Sequence, residues 1–106
     1  MEIYKYIYII NIITKTTDTA GIFKSLADET RLSIVRKLAR DNCEVTSQDI
    51  VSDCAFTLKL SQPTMSHHFQ RLVASGVIDE RKEGVEKYYQ LNRPLLISAG
   101  IDADKL

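Results

Sequence analysis

The chain has no tryptophan, only two cysteines, two prolines and four glycines, and no excess of either charge. So few cysteines, without a recognisable secretory signal, favour reduced thiols over a disulfide framework, and we expect a cytoplasmic protein. The formal net charge is zero, from 14 basic and 14 acidic residues. A global field therefore does not attract polyanions, and any binding of nucleic acid must come from the local placement of side chains.

No apolar run reaches the length of a membrane span. Residues 1–14 are rich in Ile and Tyr, but they contain Glu2 and Lys5 and lack a small-residue cleavage site. We therefore expect neither a signal peptide nor a membrane anchor. Because so apolar a segment needs cover, we expect an N-terminal extension over residues 1–16 that completes the core or a dimer seam, with a helix favoured over a strand.

The 106 residues, 44% of them hydrophobic and 26% charged, predict a single folded domain. Hydrophobic residues at helical spacing predict four helices before residue 76. Residues that can cap these helices stand at their predicted starts: Asp18, Asp28, Thr46 and Ser61. A very short turn separates the third helix from the fourth, which is the helix-turn-helix arrangement.

A β-hairpin is predicted after the fourth helix, which Gly76 ends. Two strand-like runs, Val77–Lys82 and Val85–Leu91, flank the turn Glu83-Gly84. Residues 94–106 follow as a short C-terminal helix or tail. The predicted fold class is mostly α with a small β-hairpin, a winged helix-turn-helix in the order α-α-α-α-β-β-α.

The fourth helix, predicted over residues 61–75, has one apolar and one polar face. Met65, Phe69 and Leu72 recur at three- and four-residue spacing and define the apolar face. The opposite face carries side chains that donate or accept hydrogen bonds: Thr64, His67, Gln70 and Arg71. Side chains of this kind can read base edges in a major groove.

Four segments together resemble the ArsR/SmtB family of winged-helix repressors. In chain order they read FKSLADETRL (Phe23–Leu32), LSQPTMSHHF (Leu60–Phe69), GVI (Gly76–Ile78) and KYYQL (Lys87–Leu91). Their occurrence together and in this order is a specific pattern, and the likeness covers residues 20–93.

The resemblance implies a homodimer that binds double-stranded operator DNA and releases it when an effector engages it. Helix 61–75 would be the recognition helix, and the hairpin of residues 77–91 would be the wing. Base contacts are implied for Gln62, Thr64, Ser66 and His67, with Gln70 and Arg71 nearer the phosphates. Contacts from the wing to the DNA backbone are implied for Arg81, Lys82 and Lys87.

The sequence departs from the metal-sensing members of that family. The third helix has no cysteine before Cys54, and the tail has Asp102 and Asp104 but no histidine. His67 and His68 are adjacent, so they point about 100° apart on a helix and do not share one ion comfortably. We therefore expect no metal site and no cofactor, with His68 as a structural residue, Cys54 in the core and the effector unknown.

Two other functions fit the sequence less well. A winged-helix module that binds a protein partner, without specific DNA binding, is compatible with the zero net charge and the acidic residues of the wing. An enzyme is not expected, because the sequence has no phosphate loop, nucleophile elbow or carboxylate set. The leading hypothesis is a dimeric, sequence-specific DNA-binding repressor that recognises an inverted repeat.

Overall fold

The computed structural model of the protein describes residues 18–58 and 61–106. Its helices are α1 (Thr19–Leu26), α2 (Glu29–Asp41), α3 (Ser47–Leu58), α4 (Gln62–Ala74) and α5 (Arg93–Ser98), with a short 3-10 helix at Ala103–Lys105. Its strands are β1 (Val45–Thr46), β2 (Ile78–Glu83) and β3 (Glu86–Leu91). Among these residues, no helix combines the length and the apolar character needed to cross a membrane. The predicted N-terminal extension, residues 1–16, lies outside the described residues.

One cluster of buried apolar side chains holds the helices and the sheet together. Each helix from α1 to α5 contributes members that are at most 1% exposed, among them Ile22, Ile34, Leu38, Ile50, Met65, Leu72 and Leu96, and Ile78 of β2 is buried to the same degree. Burial of one such side chain stabilises a fold by about 1.5–3 kcal/mol. The cluster therefore fixes how the helices sit relative to one another.

Three of the four predicted helix caps are confirmed. In each, a side-chain oxygen accepts a hydrogen bond from the backbone N–H three residues later: Asp28 from Arg31 at 3.0 Å, Thr46 from Asp49 at 3.2 Å, and Ser61 from Thr64 at 3.4 Å. The prediction is wrong at Asp18, whose side chain makes no cap hydrogen bond. Its backbone, with φ −104° and ψ 44°, is not in the extended conformation that a capping residue usually adopts.

Within residues 18–58 and 61–106 the sheet has three strands, where the sequence predicted two. The strand order is β1-β3-β2, and both pairings are antiparallel. In the added pairing, Val45 lies opposite Tyr89 and Thr46 lies opposite Tyr88. A strand of two residues is too short to leave a periodic pattern in a sequence, which is why β1 was not predicted.

The hairpin turn is displaced by one residue from its predicted position. Glu83 pairs with Glu86, so the turn residues are Gly84 and Val85. Gly84 adopts a φ of +61° and Val85 does not adopt a positive φ, and a positive φ at the first turn residue alone is the pattern of a type II′ turn. This turn is compatible with the register of the wing, in which Glu83 pairs with Glu86.

The C-terminal helix begins earlier than the sequence spacing predicted. Asn92 caps it, because the side-chain oxygen of Asn92 accepts a hydrogen bond from the backbone N–H of Leu95 at 3.2 Å. Pro94 lies in the first turn, where the absence of its N–H removes no intrahelical bond. The helix ends before Gly100, which adopts a φ of +80°.

Candidate nucleic-acid interface

One buried face sets the orientation of α4. Met65, Phe69 and Leu72 are at most 3% exposed, and they pack in the apolar cluster. Pro63 lies in the first turn, and Gly76 follows the helix with a φ of +83°, as its sequence position predicted. Since the apolar face is committed to the core, the opposite face of α4 points to solvent.

The exposed face of α4 collects five of the predicted DNA-binding residues: Thr64, Ser66, His67, Gln70 and Arg71. At about 100° per residue, His67 and Gln70 lie near the middle of this face. The hydroxyl of Thr64 also shares a hydrogen bond with that of Ser61, at 2.9 Å. The sixth helix residue predicted to contact DNA, Gln62, begins α4, but its side chain lies outside the part of the protein that the structure describes. The five exposed side chains together offer hydrogen-bond donors and acceptors suited to base edges and phosphates.

Two lysines of the wing lie on the side of the sheet that α4 covers. Lys82 is directly opposite Lys87 in the β2–β3 register, and Glu80 is opposite Tyr89. Because side chains alternate along a strand, the lysines share their sheet face with Tyr89. The ring of Tyr89 stacks on that of Phe69 in α4, with centroids 4.5 Å apart. The exposed face of α4 and the two lysines therefore border the same side of the molecule.

The pairing of Lys82 with Lys87 has a cost in the isolated protein. Like charges directly opposite each other on neighbouring strands are destabilising. Lys82 is exposed and Lys87 is partly exposed, so both ammonium groups can reach an external anion. The arrangement places two lysines side by side, with Glu80 two residues from Lys82 on the same face of the sheet.

Arg81 lies on the other face of the wing, and its guanidinium already binds carboxylates. Nε and Nη2 donate to the two oxygens of Glu44 at 2.9 and 2.7 Å, and Nη1 donates to Glu83 at 2.8 Å. The guanidinium carbon lies 4.4 Å from the ring centre of Tyr88. The hydrogen bond from Arg81 lowers the pKa of the Glu44 carboxyl. A phosphate would have to displace these carboxylates before it could bind Arg81.

The two adjacent histidines of α4 point in different directions. His67 is exposed, whereas the side chain of His68 is 14% exposed. Nδ1 of His68 lies 3.1 Å from Nη1 of Arg31, which supports the expectation of a structural role for His68. His67 thus lies on the exposed face of α4, whereas His68 packs against the rest of the protein.

Both cysteines are free thiols, and they lie in different surroundings. Cys54 is 5% exposed, so its predicted place in the core is confirmed. Burial raises the pKa of this thiol, and the nearby Asp53 carboxylate raises it further. Cys43 is exposed just after α2. In the part of the chain that the structure describes, no group of three or more His, Cys, Asp or Glu side chains is arranged to hold a metal ion.

The sequence did not predict two residues that bind side chains of α4 and the wing. Glu44 binds Arg81, and Arg31 binds His68, each across a separation of 37 residues. Hydrophobic periodicity carries no information about ion pairs at such distances along the chain. Only a three-dimensional structure brings these partners together.

The sequence was also compared with known proteins. The model of the family described as "Bacterial regulatory protein, arsR family" matches residues 28–80. An uncharacterized HTH-type transcriptional regulator of Methanocaldococcus jannaschii is 38% identical over 77 residues, which are 73% of this chain and 81% of that protein. An arsenical resistance operon repressor of Staphylococcus aureus is 37% identical over 79 residues, which are 74% of this chain and 70% of that protein.

Solved structures show the same likeness. An ArsR-like transcriptional regulator from Rhodococcus sp. RHA1 matches with a TM-score of 0.62 and 27% identity, over 79% of this chain and 74% of that one. The transcriptional repressor PagR of Bacillus anthracis matches with a TM-score of 0.60 and 30% identity, over 79% of this chain and 87% of that one. These neighbours share the arrangement of helices and hairpin described above.

Proposed function

The chain belongs to the arsR family of bacterial regulatory proteins and is a DNA-binding transcriptional repressor, and we propose that it binds an inverted-repeat operator as a homodimer. The family match confirms the prediction of a regulator rather than an enzyme, and of a winged helix-turn-helix fold. Because a repressor must reach the chromosome, we place the protein in the cytoplasm as part of this proposal.

One observation carries the proposed mode of binding. The exposed polar face of α4 and the Lys82–Lys87 pair border the same side of the molecule, joined by the stack of Phe69 on Tyr89. A helix that enters the major groove needs donors and acceptors at its exposed face, and the flanking backbone needs cations. This side of the protein supplies both.

Each residue of the interface has a proposed part. Base contacts fall to Gln62, Thr64, Ser66 and His67, and contacts nearer the phosphates fall to Gln70 and Arg71. Lys82 and Lys87 bind the DNA backbone beside the groove. Arg81 reaches a phosphate only where DNA displaces Glu44 and Glu83.

A dimer follows from the size of the reading surface. A single short helix and a hairpin bury too little area for tight specific binding, whereas a two-fold pair doubles the contacts. The half-sites of the operator then lie about one helical turn of DNA apart, or a multiple of it. We further propose that release from the operator needs no thiolate or histidine metal site, because Cys54 is buried and the two histidines diverge on α4.

Sedimentation and salt titration test this proposal together. The duplex is one enriched from a random pool by binding to the protein. We expect two chains per duplex, and a log affinity that falls linearly with log salt by about 0.9 for each phosphate neutralised. A single chain per duplex would contradict the dimer. A flat salt response would contradict phosphate binding and favour a protein partner for this surface.

A further inference from the structure

A polar cluster lies under the inner side of α4, away from the exposed face. Nη1 of Arg31 meets Nδ1 of His68 at 3.1 Å, and Nε of Arg31 donates to the carbonyl oxygen of Ser25 at the end of α1. The carboxylate of Asp28 accepts from the backbone N–H of Arg31 and lies 3.7 Å from Nδ1 of His68. Arg31 therefore links α1, the start of α2 and the middle of α4.

A second hydrogen bond holds the far end of α4 to the same region. The hydroxyl of Ser75 has two acceptors for its one hydrogen, the hydroxyl of Ser25 at 2.9 Å and the carbonyl oxygen of Leu72 at 3.0 Å. The hydroxyl of Ser25, which is 7% exposed, donates to the carbonyl oxygen of Ile22 at 2.8 Å. With Arg31 at the middle and Ser75 at the end, α4 is fastened to α1 and α2 by directional contacts as well as by apolar packing.

We propose that Arg31 and His68 are a positioning pair that sets α4 for DNA binding, so that operator affinity requires His68 to be neutral although His68 itself contacts no DNA. The inference rests on the proposed function of α4. The new element is a pair of residues, Arg31 and His68, that act on DNA binding through the position of α4 and not by contact with DNA.

The chemistry of the contact admits only the neutral imidazole. A guanidinium has donors and no acceptor, so Nδ1 of His68 must present a lone pair and the ring hydrogen must lie on Nε2. Protonation of Nδ1 would replace that acceptor with a donor and bring two cations together. The Arg31 contact would then be lost, and the link between α4 and α2 would shift from Arg31 to the Asp28 carboxylate, which lies 3.7 Å from Nδ1.

The surroundings of His68 favour its neutral form. Burial lowers the pKa of His68 below its ordinary value of 6.5, the Asp28 carboxylate opposes this, and Arg31, His67 and Arg71 lower the pKa further. Because the folded protein holds this proton less tightly than the unfolded chain, the free energy of unfolding falls as the pH drops below about 6.5. The positioning contact is thus intact at neutral pH and is lost on acidification.

The two neighbouring histidines allow a matched test. In His68→Asn, the side-chain oxygen stands as many bonds from Cα as Nδ1 does, so it can accept from Arg31 but cannot be protonated there. His67→Asn makes the same change on the exposed face. Affinity for the enriched duplex is measured by fluorescence anisotropy from about pH 7.5 to about pH 5.5 at constant ionic strength.

We expect the affinity of His67→Asn to fall progressively as the pH drops below about 6.5, because this variant retains His68. His68→Asn is expected to bind nearly as well as the parent protein at neutral pH and to show no such loss. Equal pH profiles in the two variants would overturn the proposal, as would a His67→Asn protein whose affinity does not fall.

A double-mutant cycle tests the pair without DNA. Arg31→Gln and His68→Ala are combined, and urea unfolding is followed at about pH 7.5 and about pH 5.5. We expect the two changes to show a stabilising coupling at neutral pH, and we expect that coupling to vanish or change sign in acid, where both groups are cations. Additivity at both values would overturn the pair, whereas a failure of the parent protein to select any duplex would count against the proposed function alone.

Discussion

The ring of Phe69 stacks on that of Tyr89, with centroids 4.5 Å apart and planes inclined by 13°. This contact joins α4 to the central strand of the sheet, and so it sets the distance between the two elements proposed to meet DNA. Both side chains are at most 3% exposed. The hydroxyl of Tyr89 also donates to the carboxylate of Glu80 at 3.0 Å.

Removal of the Phe69 ring should destabilise the fold far more than removal of the Tyr89 hydroxyl. For Phe69→Ala we expect a loss of about 3–5 kcal/mol in the free energy of unfolding, because a cavity replaces the ring. For Tyr89→Phe, which keeps the stack and loses one hydrogen bond, we expect a loss of about 1 kcal/mol. Urea denaturation measures both values, and a smaller loss for Phe69→Ala than for Tyr89→Phe would contradict this packing.

Truncation on the exposed face of α4 should weaken operator binding without unfolding the protein. For His67→Ala and for Gln62→Ala we expect losses of about 1–3 kcal/mol in binding free energy, with a relaxed base preference at the positions contacted. Gln90→Ala is the control, since Gln90 is exposed on the opposite side of the wing from the two lysines. Unchanged affinity in both helix variants, with circular dichroism like that of the parent, would remove α4 as the reading element.

The wing lysines should contribute to affinity and not to sequence preference. We expect Lys82→Ala and Lys87→Ala each to weaken all duplexes alike and to reduce the salt slope by about one phosphate. Neither change should lower the free energy of unfolding, because each removes a repulsion between opposed charges. Lys105→Ala, an exposed lysine of the 3-10 helix, is the control. A change in base preference without a change in salt slope would contradict this assignment.

Glu44 should restrain DNA binding by occupying Arg81. We expect Glu44→Gln to raise the affinity for any duplex by about three- to tenfold. The change removes a negative charge near the wing and weakens the hold on Arg81, which keeps Glu83 as its carboxylate partner. Asp104→Asn is a matched control, because it also removes one carboxylate that pairs with an arginine, Arg93, at 3.2 Å. Equal effects of the two variants in anisotropy titrations would show that the local release of Arg81 plays no part.

Release from the operator should not require a transition metal. The relatives include an arsenical resistance operon repressor, so zinc, cadmium, copper(I) and arsenite are the ions to titrate against the complex. We expect no stoichiometric release, because a closed zinc site usually takes four ligands and Cys54 is buried in the core. A tenfold or greater loss of affinity at about stoichiometric metal, abolished by Cys43→Ser or Cys54→Ser, would show the opposite.

The parts of the fold that could be predicted are those with local causes. Asp28 and Ser61 cap their helices, and Gly76 ends α4, because each effect involves residues only a few positions apart. The polar face of α4 followed from periodicity in the same way. Asp18 shows the limit of such reasoning, since a suitable residue type did not guarantee the backbone conformation of a cap.

The parts that could not be predicted depend on pairing across the chain. β1 exists because Val45 and Thr46 find partners on β3, and the turn at Gly84 was displaced by one residue because cross-strand pairing sets the register. The Glu44–Arg81 and Arg31–His68 contacts likewise follow from the packed structure. The spacing of residues along the sequence does not indicate any of these pairings or contacts.

The central proposal is that α4 reads an inverted repeat while the wing binds the DNA backbone, and it is tested most directly by selection from a random duplex pool. The selection is run in parallel with the parent protein and with a His67→Ala, Gln70→Ala double variant. The parent should enrich duplexes with two related half-sites about one helical turn apart, or a multiple of it. The double variant, shown by circular dichroism to be folded, should lose that enrichment while it retains weak, salt-sensitive binding to any duplex. Enrichment of the same inverted repeat by both proteins, or of no repeat by the parent, would contradict the proposal.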